Sequence, residues 1–179
     1  MYTSERVRLR EYKKEDMEQA QKYVNDPEVK SFLHPGIPYL YTFEDQKKWF
    51  EDNSATKDIY SFAIETVADN KYIGGCGVNS IDWKNSVAGV GIFIGDKNYW
   101  NKGYGTEVMR LLVGFIFNEM NINKVNLNVF SFNERAIKSY VKCGFKKEGV
   151  LRQEVFRNGK YHDKVMMGIL RDEFKETKI

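Results

Sequence analysis

A mixed α/β (α+β) fold is predicted for this 179-residue chain, with a mostly antiparallel central sheet, one parallel strand pair and flanking helices. Three features predict it. The stretch Val87–Met120 parses as strand, glycine-rich loop and helix, and a further strand pattern begins at Lys124. A strand that follows such a unit returns parallel to the first by a right-handed crossover. Strand patterns between Tyr60 and Ile94 are separated only by short turns at Asp69-Asn70 and Asp82–Ser86, which makes them antiparallel neighbours. The chain then closes on Val150–Arg157 and Lys160–Leu170 around Asn158-Gly159, a strong hairpin signal. The length suits one domain over 1–179, with no internal repeat or low-complexity linker.

In chain order, Val7-Arg8-Leu9-Arg10 alternates as a strand with one face covered. Lys14–Asn25 carries Met17, Ala20 and Val24 at helical spacing, and Asp26-Pro27 ends it. Glu28–Leu33 adds a turn or two before His34-Pro35-Gly36-Ile37-Pro38. Thr42 reads as an N-cap with Asp45 three residues on, and Phe43, Lys47 and Phe50 follow down one side. Two helices with a proline-broken connection suit a lid more than a core layer. Gly74-Gly75-Cys76-Gly77 is poor strand material, so it predicts a close backbone approach or a bulge. The central helix starts near Thr106, with Val108, Leu111, Leu112, Phe115, Ile116 and Met120 three or four apart. Lys124–Phe130 places Val125, Leu127 and Val129 on one face and Asn126 and Asn128 on the other. Asn133 is a good N-cap for a helix marked by Ala136, Ile137, Tyr140 and Val141, with Gly144 as its αL terminator.

Composition narrows the function classes. The 28 basic and 25 acidic residues are mixed along the chain, giving +3, unlike the clustered cations of a nucleic-acid binder. No apolar run reaches the roughly 20 residues of a membrane helix. The segment Met1–Arg6 has no apolar signal core, so a cytoplasmic protein is expected. Cys76 and Cys143 lack metal or redox spacing and read as reduced, buried thiols. His34 and His162 stand far apart without ligand-spaced partners, so no metal site is expected.

The chemistry concentrates in Trp100-Asn101-Lys102-Gly103-Tyr104-Gly105-Thr106. Two glycines before a helix leave loop amides free of side-chain cover, beside the helix's first unpaired N–H groups, a geometry that binds phosphate. The dinucleotide fingerprint needs a third glycine where Val108 stands, and no Gly-Lys-Ser or Gly-Lys-Thr of an ATPase loop occurs.

The loop resembles the acetyl-CoA pyrophosphate loop of the GNAT N-acetyltransferases, Arg/Gln-x-x-Gly-x-Gly/Ala. Tyr99–Glu107 is similar in particular to the branch of ribosomal-protein and spermidine N-acetyltransferases, where Trp, as at Trp100, often replaces the Arg/Gln. A second motif of that family, Asn-x-x-Ala/Ser-x-x-x-Tyr-x-x-x-Gly-Phe, is matched by Asn133, Ala136, Tyr140, Gly144 and Phe145. The resemblance covers nearly the whole chain. It implies a GNAT-like sheet whose parallel strands splay, with the pyrophosphate of acetyl-CoA on the amides of Lys102, Gly103, Tyr104, Gly105 and Thr106, Asn101 also binding the cofactor, and with charge from Lys102. It further implies that a backbone amide near Phe93 or Ile94 holds the oxyanion, Asn133 contacts the cofactor and Tyr140 protonates the departing sulfur. The family shapes its acceptor pocket with the region of the two early helices, and dimers are common in it.

The expected reaction is direct attack of a primary amine on the thioester. The acceptor stays open between a protein N-terminus, a polyamine, an amino sugar and an antibiotic. Glu28, Glu44, Glu65 and Asp163 are acids to weigh as general base, and none is singled out. The related branch often carries Glu two positions before the glycine matched by Gly91, where this chain has Gly89, which weakens a polyamine assignment. A non-catalytic CoA-binding sensor or assembly subunit with the same fold is the alternative.

Overall fold

The computed structural model describes residues 2–53 and 60–175. Its strands are β1 (Tyr2–Thr3), β2 (Val7–Arg10), β3 (Ser61–Thr66), β4 (Tyr72–Asp82), β5 (Val87–Ile94), β6 (Lys124–Phe130), β7 (Lys146–Arg157) and β8 (Lys160–Leu170). Among the described residues they form one sheet in the order β1-β2-β3-β4-β5-β6-β8-β7. The helices are α1 (Asp16–Asn25), α2 (Pro27–Leu33), α3 (Phe43–Asn53), α4 (Tyr104–Glu119) and α5 (Glu134–Lys142). Every strand pair is antiparallel except β5 with β6, the parallel pair expected from the strand-loop-helix unit.

Alternation along the strands divides the side chains between two faces. Val125, Leu127 and Val129 of β6, with Val165, Met167 and Ile169 of β8, pack against Val108, Leu112 and Ile116 of α4 in the main core. On the opposite face Ala63, Tyr72 and Phe93 meet Ala20 and Tyr23 of α1. That contact corrects the expectation of a lid, because α1 is a core layer. Only α2 and the following loop lean over a cleft. Trp49 of α3 packs edge-on against Tyr12 at 5.0 Å instead of reaching it.

Local signals behave as their chemistry requires. Thr42 and Asp45 exchange hydrogen bonds at the start of α3, with Asp45 N–H donating to Thr42 Oγ1 at 3.1 Å and Thr42 N–H donating to Asp45 Oδ2 at 2.8 Å. Asp26 ends α1 and caps α2, accepting from Glu28 and Val29 N–H. Asn158 and Gly159 both take positive φ, as the tight hairpin demands. The glycine cluster in β4 marks a close approach: a Cβ on Gly75 would lie 2.0 Å from the Tyr12 hydroxyl. The short β1 has no counterpart in the sequence reading, because two residues carry no periodicity.

One buried ion network ties the first strands to α1. Arg10 donates to Asp16 Oδ2 at 2.7 Å and Oδ1 at 2.9 Å, and its Nε donates to Glu65 Oε2 at 2.5 Å. Arg8 donates to the other Glu65 oxygen at 2.6 Å. Burial opposes ionisation of Glu65, but Arg10 and Arg8 outweigh it and hold its pKa below the ordinary value. Replacing Arg10 by Leu leaves the buried Asp16 carboxylate without its cation and Glu65 with Arg8 alone, and is expected to cost roughly 3–5 kcal/mol in urea unfolding at pH 7. A depressed carboxylate pKa stabilises above its unfolded value of about 4.3 and loses that contribution as pH falls through the folded value. The gap between wild type and Arg10→Leu should therefore narrow below that pH, and a loss under about 1 kcal/mol at pH 7 would place the network's contribution in the range of a surface pair.

Candidate functional site

β5 and β6 pair only at Val87–Lys124, Ala88–Val125 and Gly89–Asn126, although both strands run on, to Ile94 and Phe130. They part where β4 carries an irregularity between Val78 and Ser80, and such bulges increase local twist. Side chains from that bulge fill the space beside β5. A Cβ on Gly89 would lie 2.5 Å from Ser80 Oγ, and one on Gly91 2.7 Å from Asn79 Nδ2. Beyond the parting point lies a cleft of about 580 Å³.

The register decides which β5 amides face this cleft. Gly95 N–H donates to Ile73 O at 2.8 Å, which sets the phase of the β4–β5 ladder. Alternation then turns the peptide groups of Gly91 and Phe93 toward β4, and those of Val90, Ile92 and Ile94 toward the gap. Trp100 Nε1 donates to Ile94 O at 2.7 Å from that open side. Of the two amides anticipated from sequence, Ile94 faces the cleft, whereas Phe93 contributes a wall.

At the cleft mouth, Gly103 takes φ +87° and precedes α4, which begins at Tyr104, two residues earlier than the periodicity suggests. Thr106 and Glu107 N–H both donate to Gly103 O at 3.1 Å. The N–H groups of Gly103, Tyr104 and Gly105 are engaged by no other described residue. Asn101, Gly103, Gly105 and Thr106 line the cleft. Lys102 and Tyr104 do not place their side chains there. Lys102 is exposed and Tyr104 packs outward, with Arg6 over its ring at 4.6 Å and Tyr99 edge-on at 4.9 Å. The loop is held from behind, since Arg6 bridges Glu107 at 2.6 Å and donates to Lys102 O at 3.0 Å. Ser4 also donates to Glu107. Burial disfavours the Glu107 carboxylate, yet Ser4 and Arg6 keep its pKa lowered.

α5 forms the adjoining wall. Asn133 caps it through Ala136 N–H at 3.3 Å, and Asn133 and Tyr140, about two turns apart, both line the cleft. Thr106 Oγ1 and Ser139 Oγ share a hydrogen bond of 2.8 Å, and Cys143 Sγ donates to Thr106 O at 3.3 Å, so loop and wall are joined. Tyr140 is 8 % exposed, and burial, with a smaller contribution from Cys143, pushes its phenol up to about 12. Burial also pushes the Cys143 thiol up to about 12 and Cys76 higher still, so neither is a thiolate near neutral pH.

Sequence reading passed over Arg135. Its guanidinium lies 3.5 Å from the Trp100 ring centroid and 5.5 Å from that of Phe32, and no described residue pairs with it in an ion pair or hydrogen bond. A Trp in place of the motif's usual Arg or Gln was the available signal, because an aromatic face at that position attracts a cation from elsewhere. Lys138 and Lys142 line the same wall.

The other face of the opening is different. Asn79, Ser80, Asn126, Asn128, Phe130 and Lys164 form its floor, and Val29, Phe32, Leu33 and Pro35 lean over it. No Asp, Glu or His among the described residues lines the cleft. The acids weighed as base lie elsewhere. Glu65 is bound by Arg8 and Arg10, Asp163 accepts Gln153 N–H at 2.8 Å, and Glu44 is exposed on α3. Glu28 sits outside at the mouth, 3.3 Å from Lys97. His34 contacts Tyr41 at 3.1 Å, and His162 packs on Phe132 at 4.7 Å.

A parted parallel strand pair with an amide-rich loop at its mouth and a buried tyrosine on its wall defines an acyl-CoA-dependent transferase. Residues 6–146 match the acetyltransferase (GNAT) domain family, and the chain belongs to that family as an N-acetyltransferase. It is 31% identical over 176 residues, 97% of each chain, to the uncharacterized N-acetyltransferase p20 of Bacillus licheniformis. It is 28% identical to the spermidine N(1)-acetyltransferase of Escherichia coli K12, covering 97% of this chain and 91% of that one. Among solved structures, the spermidine N-acetyltransferase of Vibrio cholerae in complex with CoA and spermine superposes with a TM-score of 0.84, at 25% identity over 95% of this chain and 98% of that one.

Gly103→Val forces a β-branched side chain into the left-handed region, at about 1–2 kcal/mol or a displaced loop. A roughly tenfold or greater rise in the Kd for CoA is expected by calorimetry. Gly114→Ala, whose Cβ would meet Phe174 at an ordinary 3.7 Å, should leave it unchanged.

Proposed function

We propose that this cleft transfers an acetyl group from acetyl-CoA to a primary amine by direct attack, in a single-domain, cytoplasmic enzyme. The single observation that carries this reading is the parting of β5 and β6 after Gly89–Asn126, with Tyr140 buried on the wall it exposes. Acetyl-CoA lies along the open edge of β5. Its pyrophosphate is received by the amides of Gly103 to Gly105 and the dipole of α4. Arg135, stacked on Trp100, supplies the cation that an Arg in the motif would have carried. Asn133 and Thr106 complete the polar lining.

The acceptor nitrogen attacks the thioester carbon from the face covered by α2. The developing oxyanion is held by the N–H of Ile94. As the tetrahedral carbon collapses, the C–S bond breaks, the nitrogen releases a proton to solvent and Tyr140 donates its phenolic proton to the sulfur. Solvent then reprotonates Tyr140. A phenol pushed up to about 12 is protonated at neutral pH, the state an acid needs. No described carboxylate or imidazole stands on the lining, and the surroundings assist deprotonation of the ammonium. Arg135, Lys138, Lys142 and Lys164 line the cleft, and like charges disfavour the charged amine.

Thiol release from acetyl-CoA across polyamines, amino sugars, aminoglycosides, amino acids and N-terminal peptides tests the transfer. At least one class is expected to turn over. Tyr140→Phe should lower kcat by about 10²-fold or more, with the Kd for CoA within about twofold because the hydroxyl meets only the sulfur. An unchanged kcat removes the acid role, and tight CoA binding with no turnover on any amine favours a sensor.

A further inference from the structure

We infer that the acceptor is a small amine carrying its own anionic group, an amino-acid-like zwitterion, with Lys164 receiving the anion. This rests on the transferase reading above. Phe130, at the C-terminal end of β6, pairs with Lys164 on β8, and Lys164 and Ile94 both line the cleft, Lys164 standing one strand spacing beyond β6, about 4.8 Å. Residues 126, 128 and 130 alternate onto the face opposite the α4 core, and their partner Lys164 shares that face, where α2 leans over the cleft.

The chemistry of this face selects against a polycation. A polyamine brings further ammonium groups, and no described carboxylate lines the cleft to meet them. The space where related enzymes often place Glu is filled here, since a side chain on Gly89 would collide with Ser80. What the face offers is the opposite: neutral amides at Asn79, Asn126 and Asn128, whose carbonyl oxygens accept from an amine, and a cation beside them. Among the described residues Lys164 makes one ion pair, 3.5 Å to Glu154, whose side chain is half exposed. An ammonium has three donors, so two remain for a carboxylate.

The test compares kcat/KM for amino acids, for the same compounds as carboxamides, and for spermidine. Wild type is expected to prefer the free acid to its carboxamide at least tenfold and to use spermidine least. Lys164→Met should abolish the preference, Lys164→Arg should keep it, and Lys164→Glu should turn it toward spermidine. Equal use of acid and carboxamide, or a preference kept in Lys164→Met, overturns the proposal. So does better use of spermidine by the wild type. If spermidine wins while Tyr140→Phe still slows thiol release, the transfer reading stands and the acceptor assignment falls. If none of these compounds releases thiol, the acceptor assignment falls, and the transfer reading falls with it only if amino sugars, aminoglycosides and N-terminal peptides are silent too.

Discussion

The short hydrogen-bonded contact between β5 and β6 is the constraint on which the rest of the structure depends. Three paired positions hold the two strands together at one end, and both then continue without pairing to each other, β5 still held by β4 and β6 by β8. Backbone groups left unpaired inside a protein carry a substantial cost unless something engages them. On the proposed reading that something is the cleft's occupant, whose amide groups, such as those of a pantetheine arm, would replace the missing strand-to-strand bonds. The glycines of β5 follow from the same constraint, because the β4 bulge that accompanies the parting presses Asn79 and Ser80 into the space their side chains would need.

The surroundings keep this opening in shape. The Glu107–Arg6–Lys102 clamp fixes the loop from the N-terminal edge of the sheet, and the Thr106–Ser139 and Cys143–Thr106 contacts fix it to α5. The main core under β6 and β8 anchors one wall, while the α1 layer beneath Phe93 anchors the other. Between them the positive charges divide into two groups with different work. Arg135, Lys138 and Lys142 stand on the α5 wall, where the proposed phosphate site lies. Lys164 stands on the far side of β6, away from that wall, and this separation is what the proposal of an anionic acceptor uses.

Features encoded within a few residues were legible in the sequence. The Asn133 cap, the Thr42–Asp45 pair, the Asn158-Gly159 turn and the β6 boundaries each rest on short-range stereochemistry, and the structure places them as expected. The parallel pair was legible because a strand, helix and strand have one common solution. What escaped notice is what long-range packing decides. Arg135 and Trp100 are thirty-five positions apart, and only the folded cleft mouth stacks them. Lys164 shares a face with Phe130 through a register that no local pattern specifies. The lid expectation for the first helix failed for the same reason: Ala20 and Tyr23 look like an ordinary amphipathic stripe, and their burial against Ala63 and Tyr72 depends on the sheet. Lys102 and Tyr104 belong to the loop by sequence, yet the turn at Gly103 points both away.

The most direct test of the account is a crystal structure of the protein with CoA bound. The parted strands predict CoA along the open edge of β5, its pyrophosphate on the amides of Gly103 to Gly105, Arg135 against a phosphate and its sulfur beside the Tyr140 hydroxyl. CoA seated elsewhere on the sheet, or in the cleft with its sulfur remote from Tyr140, would contradict the assignment of this opening as the site of transfer.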